Sequence, residues 1–273
     1  MRAFPARAAR FLHAVPVQYH RAVTASVIAA LLPLAAACGS ASPADAPSAG
    51  PVVEAVPWTP GEQLAYVLTT EAGDEVGRGI LSTDDHEAGL VLEQRYEEST
   101  APAGATPTYD EIAVTVDPST LRPLAGRRET LVRDVDGATY LEEMSWSYQP
   151  DGQLLSQRTR DGEVVDQGTV AVDEDAYDNE SSLWLWRTLG LGEEYQRLYR
   201  SANPVDRTQQ SVDVRVPHRE TIEVPAGIFD TWRVIFRSGR AVRTAWINIE
   251  APHEIIRWDN GDLIFELLPD DSR

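Results

Sequence analysis

The stretch MSWSYQPDGQLLSQRTRDGEVVDQGTV, residues 144–170, contains the pattern on which most of the chain is built. Two Asp-Gly pairs, at residues 151–152 and 161–162, separate runs in which apolar and polar residues alternate. Alternation with a period of two is typical of a half-buried β-strand, and Asp-Gly accepts the positive φ angles of a tight hairpin turn. The stretch therefore predicts three consecutive antiparallel strands.

The same pattern continues through most of the sequence. Further Asp-Gly, Ser-Gly and Asn-Gly pairs at residues 136–137, 238–239 and 260–261 also lie between alternating runs. We predict strands over residues 63–70, 76–84, 90–98, 109–116, 124–133, 139–148, 154–160, 164–170, 211–224, 231–237, 240–249, 254–258 and 263–268. These strands predict a mainly β fold, in which one long antiparallel sheet curves strongly into a half-barrel or open barrel.

One segment departs from the alternation, residues 178–192 with the sequence DNESSLWLWRTLGLG. Capping and acidic residues open it and glycines close it, which predicts a helix of about three turns. Its apolar side chains, among them Trp184 and Trp186, cover most of the helix circumference. We therefore expect the curved sheet to wrap around this one buried helix.

The charge balance narrows the classes of function. The chain has 273 residues, with 43 acidic and 24 basic side chains and a formal net charge of -19. A nucleic-acid-binding protein needs a basic surface, so that class is excluded. Every basic residue is an arginine, which excludes sites built on a Walker or Schiff-base lysine.

The N-terminus has the features of a secretory signal peptide over residues 1–37. Its first 21 residues carry four arginines and no acid, and an apolar run, residues 22–37, follows. Cys38, the single cysteine, stands directly after this run and excludes an intramolecular disulfide. The arrangement resembles a bacterial lipobox, which predicts a lipid anchor on Cys38. Ala35 replaces the usual Leu, Val or Ile, and Ala35 to Ala37 also suit ordinary signal peptidase, so a freely secreted protein remains the alternative.

The rest of the chain divides into a tether and a body. Residues 38–57 are rich in Pro, Ala and Ser without an apolar period, which is typical of an extended tether. Residues 58–273 are predicted to form a single β-rich domain. The predicted location is the cell envelope, with the protein held at the membrane through the lipid on Cys38.

Three segments of the body resemble the bacterial domain-of-unknown-function family 3108. They are YDNESSLWLWRTLGL (177–191), TIEVPAGIFDTWRV (221–234) and AWINIEAPHEIIRWDNGDLIFEL (245–267), and WTPGEQLAYVL (58–68) suits the start of the family's domain. The resemblance implies an envelope protein with a curved, half-barrel-like sheet. It implies no catalytic residue, cofactor or ligand.

Arginines in the predicted hairpin of residues 231–249 are the first candidate site. Arg233, Arg237, Arg240 and Arg243 lie in a segment without any acid. A two-residue turn at residues 238–239 would place Arg237 opposite Arg240, and guanidinium groups suit phosphate or carboxylate, so an anionic headgroup is one hypothesis. Pairing with acids on neighbouring strands is the alternative, and it is the one that the sequence favours.

Tryptophans are the second candidate site. Trp184, Trp232 and Trp246 could line an apolar pocket between the helix and the sheet, or they could belong to a filled core. Trp232, Val234 and Phe236 are expected on the helix-facing side of their strand. The sequence leaves both alternatives open.

The acidic cluster before the predicted helix, Asp173 to Glu180, does not have the spacing of a calcium-binding EF-hand and is interpreted as a solvated loop. No metal site and no cofactor is predicted. No motif of a nucleophilic or zinc-dependent enzyme is present, so we expect no catalysis. The expected function is a lipid-anchored envelope protein that binds an apolar or amphipathic ligand or an envelope partner. A carboxylate-dependent hydrolase of envelope glycans and a purely structural surface protein are the alternatives.

Overall fold

Fifteen β-strands and one short helix form the part of the chain that the computed structural model describes, residues 51–269. These residues belong to one compact unit, Ser48–Arg273. The predicted signal peptide, Cys38 and most of the predicted tether lie outside the described residues. The elements are β1 (Gln63–Thr69), β2 (Glu75–His86), β3 (Gly89–Glu98), β4 (Tyr109–Val116), β5 (Pro123–Arg133), β6 (Thr139–Tyr148), β7 (Gln153–Arg160), β8 (Glu163–Ala171), β9 (Tyr177–Asp178), α1 (Ser182–Trp186), β10 (Gln196–Asn203), β11 (Thr208–Val224), β12 (Gly227–Ser238), β13 (Ala241–Asn248), β14 (Ile255–Asp259) and β15 (Ile264–Leu267).

All fifteen strands join one sheet, in the order β8-β7-β6-β5-β4-β3-β2-β1-β15-β14-β13-β12-β11-β10-β9. Two series of sequential hairpins therefore meet where β1 pairs with β15, for example through Tyr66 and Leu267. Neighbouring strands are antiparallel except β9 and β10, which are parallel. The prediction of a mainly β protein with one long antiparallel sheet is confirmed.

Turn chemistry explains the hairpins. Asp161 and Gly162 have φ angles of 49° and 83°, so both central residues of this turn lie in the left-handed region that a type I′ turn requires. The turn joins Arg160 directly to Glu163, its partner in the ladder between β7 and β8. The predicted Asp-Gly turn at this position is therefore confirmed.

The core lies on the inner face of the sheet, which we define as the face in contact with α1. Alternate residues of each strand point to this face, as in β3, where Leu90, Leu92 and Tyr96 are buried. All five residues of α1 are buried, and the Trp186 ring stacks on Phe236 with ring centroids 3.8 Å apart. The predicted arrangement of a sheet around one buried helix is confirmed.

The helix is shorter than predicted. It covers Ser182–Trp186 only, instead of residues 178–192, and no side chain caps its N-terminus. The preceding residues Tyr177–Asp178 form β9 on the far side of β10, so their backbone groups bond in the sheet rather than in a helix. Strands β9 and β10 were both missed by the sequence analysis.

The last residues of the predicted tether belong to the folded domain. Val53 and Trp58 are buried, and the Glu54 amide donates to the carbonyl of Thr188 at 3.0 Å. The carboxylate of Glu54 lies so close to Gly190 that a Cβ there would collide with it. Residues 53–57 therefore pack on the domain.

The two edges of the sheet face each other through side chains and not through a backbone ladder. Arg207, in the turn between β10 and β11, binds Asp166 of β8 at 2.8 Å and approaches the backbone of Gly168. Asp173, after β8, binds Arg200 of β10 at 3.3 Å and Gln209 of β11 at 2.7 Å. We call this line of contacts the seam, and the sheet is an open barrel because no backbone pairing within residues 51–269 crosses it.

Candidate functional site

The space inside the sheet is filled by aromatic side chains of α1 and their neighbours. Trp184 is fully buried, and its ring meets the edge of Trp58 at a centroid distance of 5.1 Å. Trp186 contacts Phe236 and Trp258, and its indole N–H donates to the Tyr199 hydroxyl at 3.1 Å. These contacts place Trp184 in a packed core and not on the wall of an apolar pocket.

A buried ion pair closes the end of α1. The Arg187 side chain has no exposed surface and donates two hydrogen bonds to the Glu62 carboxylate, at 2.5 and 3.0 Å. It also donates to the carbonyls of Pro252 and His253 and lies near the rings of Trp58 and Trp184. The sequence analysis missed this residue, although an arginine among five apolar neighbours is a signal for a buried, fully bonded cation.

A second ionic cluster attaches the segment before α1 to the wall of the sheet. Arg128 of β5 donates to both oxygens of Asp110 on β4 and lies 3.6 Å from Glu180. Burial alone would lower the pKa of Arg128, but the charges of Asp110 and Glu180 outweigh burial and raise it. The three side chains are at most 12% exposed, so this cluster is a structural clamp.

Asp178, in the same region, is a carboxylate buried from solvent. Its Oδ2 accepts hydrogen bonds from Trp146 Nε1 and the Tyr148 hydroxyl, both at 2.8 Å, and its Oδ1 accepts from the Glu180 amide. Burial, followed by the charge of Glu180, raises the pKa of Asp178 to about 7.

The interpretation of the acidic cluster as a solvated loop is therefore wrong for Asp178, which is buried, and for Glu180, whose side chain is 10% exposed and lies by Arg128. Asp173, Glu174 and Asp175 are exposed. The carboxylates that converge inside the sheet are held by Arg128, Trp146 and Tyr148. A glycan has no access to them, so they do not supply the acid pair that a hydrolase needs.

The three predicted tryptophans are not brought together. Trp232 lies on the same strand face as Val234 and Phe236, as expected, but it is only half-buried and lies near the Arg219 guanidinium. Trp246 faces Arg233 across the ladder and lies on the opposite, outer face. Trp184, Trp232 and Trp246 therefore do not form one pocket.

The arginines of β12 and β13 surround a turn that differs from the predicted one. Arg237 pairs with Val242 and Ser238 with Ala241, so the turn is Gly239-Arg240, and Arg240 does not face Arg237. Gly239 has φ 58°, which suits the first central position of a type II′ turn. We use the name arginine hairpin for the outer face of β12 and β13 between Arg233 and Trp246, together with the turn Gly239-Arg240.

The arginine hairpin has no ion pair within the described residues. Arg233, Arg237 and Arg240 lie more than 4 Å from every described carboxylate, and the buried Arg233 Nε has no hydrogen-bond partner there. Asp213 of β11 lies opposite Arg237 in the ladder, but it binds Arg215 at 2.8 Å instead. The expected pairing with acids on neighbouring strands is therefore wrong for these three arginines.

A polar groove of about 480 Å³ runs across the outer face of strands β1 to β7. Its charged residues are Glu93, Arg95, Glu111, Arg127, Arg128, Glu129 and Glu143. Arg95 bridges to Glu111 at 3.2 Å, and Tyr109, next to the groove, donates to Glu129 at 2.6 Å. This groove was not predicted, because it depends on which alternate residues of seven strands share one face.

Within residues 51–269, no three His, Cys, Asp or Glu side chains are arranged to hold a metal ion. No helix in the same part of the chain is long and apolar enough to span a bilayer.

Comparison with known proteins places the chain in a family. The model of a family described as "Protein of unknown function (DUF3108)" matches residues 65–264, which include every strand from β2 to β14. The chain belongs to the DUF3108 family. The family of this DUF3108 protein is the one that the sequence resemblance indicated.

One solved structure is similar to this DUF3108 protein. It is the crystal structure of a beta-barrel-like protein of the domain of unknown function DUF1849 from Brucella abortus, with 10% sequence identity and a TM-score of 0.49. The alignment covers 76% of this chain and 95% of that chain. No curated protein matches the sequence.

Proposed function

We propose that this DUF3108 protein is a non-catalytic, lipid-anchored envelope protein that binds its partner on the outside of its sheet. The observation that carries the proposal is the filled interior. Trp184, Trp186 and Arg187 are at most 1% exposed and occupy the space where an open barrel would otherwise hold a ligand. An apolar ligand inside the sheet would have to displace α1.

Surface features support an external partner. The polar groove carries four glutamates, Glu93, Glu111, Glu129 and Glu143, and the arginine hairpin carries cations that bind nothing within the described residues. Charged surfaces attract partners of complementary charge and speed their association, which suits a transient partner. The export and the anchor rest on the sequence of residues 1–38, in which the single cysteine follows a signal-like apolar run.

Mass spectrometry of the protein extracted from its native membrane tests both parts of the proposal. We expect an N-terminal Cys38 that carries acyl chains, and no lipid held inside the folded domain. A protein that starts at residue 38 without acyl chains would contradict the anchor. Lipid that co-purifies stoichiometrically and stays bound in high salt would contradict the filled interior, because high salt releases headgroups that are held by surface charge.

The variant Cys38→Ser is the matched control for the anchor. We expect it to leave the membrane fraction while its domain retains the unfolding midpoint of the parent, because the folded domain, residues 53–269, does not contain residue 38. A variant that stays fully in the membrane fraction would show that another feature holds the protein there.

A further inference from the structure

The arginine hairpin is a local excess of positive charge on an acidic protein. The outer face of β12 and β13 carries Arg233, Arg237 and Arg240 and no carboxylate between Arg233 and Trp246. The chain as a whole carries 43 acids against 24 arginines. Unpaired cations that lie close together on one sheet face repel each other, so a negatively charged binding partner would stabilise this cluster.

The neighbouring carboxylates do not neutralise this cluster. Asp213 on β11 binds Arg215. Asp259 on β14, which pairs with Thr244 of β13, accepts a hydrogen bond from the Gly261 amide at 2.8 Å. Glu220 accepts the Trp246 indole N–H at 2.9 Å. The guanidinium groups of the arginine hairpin therefore keep their hydrogen-bond donors available.

Apolar groups lie between the arginines. Val242, opposite Arg237, is 45% exposed, and Ile235 is half-buried on the same face. Trp246 is half-buried, with Arg233 at 5.8 Å and Arg257 at 5.5 Å from its ring centroid. Arginine beside tryptophan and aliphatic side chains is the combination that is enriched where proteins meet the headgroup layer of a bilayer.

We infer that the arginine hairpin binds the phosphate groups of anionic phospholipids at the membrane surface. Guanidinium groups recognise phosphate through paired N–H donors, while Val242 and Trp246 contact the adjacent apolar layer. The inference rests on the proposed envelope location, which puts a bilayer near the domain. Because the remaining surface is acidic, this contact also orients the domain with β12 and β13 toward the bilayer.

Vesicle flotation tests the inference without the anchor. The predicted mature chain from residue 38, with Cys38→Ser, is mixed with vesicles of phosphatidylcholine alone, or with three parts in ten of phosphatidylglycerol, at low salt. We expect binding that requires phosphatidylglycerol. Adding Arg237→Gln and Arg240→Gln should lower this binding about tenfold, because each surface arginine contributes attraction to an anionic bilayer.

Arg78→Gln with Arg160→Gln is the matched control, because it removes the same charge from β2 and β7, outside the arginine hairpin and the polar groove. The N-terminal segment is common to all variants, and equal unfolding midpoints show that each variant is folded. The control should bind as the parent does, and high salt should abolish the difference between the vesicles.

Equal binding to both vesicles, or equal loss in the control pair, would overturn the inference and would leave the Cys38 anchor unaffected. No vesicle binding would overturn it too, and would favour an acidic protein as the partner.

Discussion

Arg187 shows how one side chain can determine the packing of a core. Its guanidinium joins four parts of the chain: the end of α1, Glu62 before β1, the carbonyls of Pro252 and His253, and the ring of Trp58. A cation without exposed surface is tolerated only when its charge and donors are matched, and here they are. The filled interior therefore depends on a polar residue as much as on apolar ones.

Removing this cation should destabilise the protein strongly. We expect Arg187→Met to lower the free energy of unfolding by about 3–5 kcal/mol, because Glu62 is left largely buried without its partner. Urea unfolding at neutral pH measures the loss.

The double variant Arg187→Met with Glu62→Leu is the control for this prediction. It should be more stable than the single variant, since no unpaired charge remains. A double variant that is less stable than the single one would show that the packing of the Arg187 side chain, and not its charge, carries the effect.

Asp178 should make stability depend on pH. Its pKa rises from about 3.9 in an unfolded chain to about 7 in the folded protein, so the folded state binds the proton more tightly. The resulting stabilisation is fully present below pH 4 and is lost as the pH rises through 7. In Asp178→Asn, the free energy of unfolding should therefore fall less between pH 4 and pH 7.5 than in the parent.

Chemical unfolding at several pH values measures this difference. Asp136→Asn, in the exposed turn before β6, is the matched control and should keep the slope of the parent. Identical slopes for the parent and Asp178→Asn would mean that Asp178 is ionised throughout this range.

At the scale of elements, α1 is short but contributes much of the core. Trp186 stacks on Phe236 and touches Trp258, and both partners belong to strands of the C-terminal half of the sheet. Truncating a buried tryptophan removes its apolar burial and leaves a cavity. We expect Trp186→Ala to cost about 3–5 kcal/mol, measured by the unfolding midpoint in urea.

Ile228→Ala is the control for this element. Ile228 lies on β12, like Phe236, but it is 70% exposed, so the change should be within about 0.5 kcal/mol. If Trp186→Ala were equally mild, α1 would be an accessory to the core rather than its centre.

Most strands could be predicted from the sequence because period-two alternation and Gly-containing turns are local signals. The two missed strands lack these signals: β9 has two residues, and the outward positions of β10 include Leu198, which is 51% exposed. The helix was overestimated because Asp178 and Glu180 resemble helix-capping residues, whereas their carboxylates bind Trp146, Tyr148 and Arg128, distant in sequence.

The candidate site was less predictable than the fold. The observed turn after β12 is Gly239-Arg240, one residue later than the predicted Ser238-Gly239, so Arg240 lies in the turn and not in the ladder. The shift arises because Gly is favoured at the first central position of a type II′ turn. The polar groove combines residues of seven strands, so no single segment indicates it. Arg187 was missed because its partners Glu62 and His253 are adjacent to it only in the folded chain.

At the scale of the whole molecule, the seam is where the barrel remains open. Strand β8 pairs with β7 on one side only, and side chains such as Arg207 and Arg200 contact the region of its other edge. Exposed ion pairs contribute at most about 1 kcal/mol each, so the seam should be the part of the sheet that opens most easily.

Replacing Arg200 and Arg207 by Gln should open the seam locally. We expect faster amide hydrogen exchange in β8, with a loss of at most about 2 kcal/mol in the free energy of unfolding. Arg78→Gln with Arg95→Gln, on β2 and β3, should leave the exchange of β8 unchanged. Unchanged exchange in the seam variant would mean that backbone contacts hold this edge.

The pairing of β1 with β15 joins the strands nearest to the two ends of the domain. While a ribosome makes this chain, β1 is synthesised first and its neighbour β15 last. β1 therefore has one unpaired edge until the domain is almost complete, although Leu64 to Leu68 end up fully enclosed. The nascent polypeptide thus stays accessible to chaperones throughout translation, and a product truncated before residue 264 would lack the strand that completes its centre.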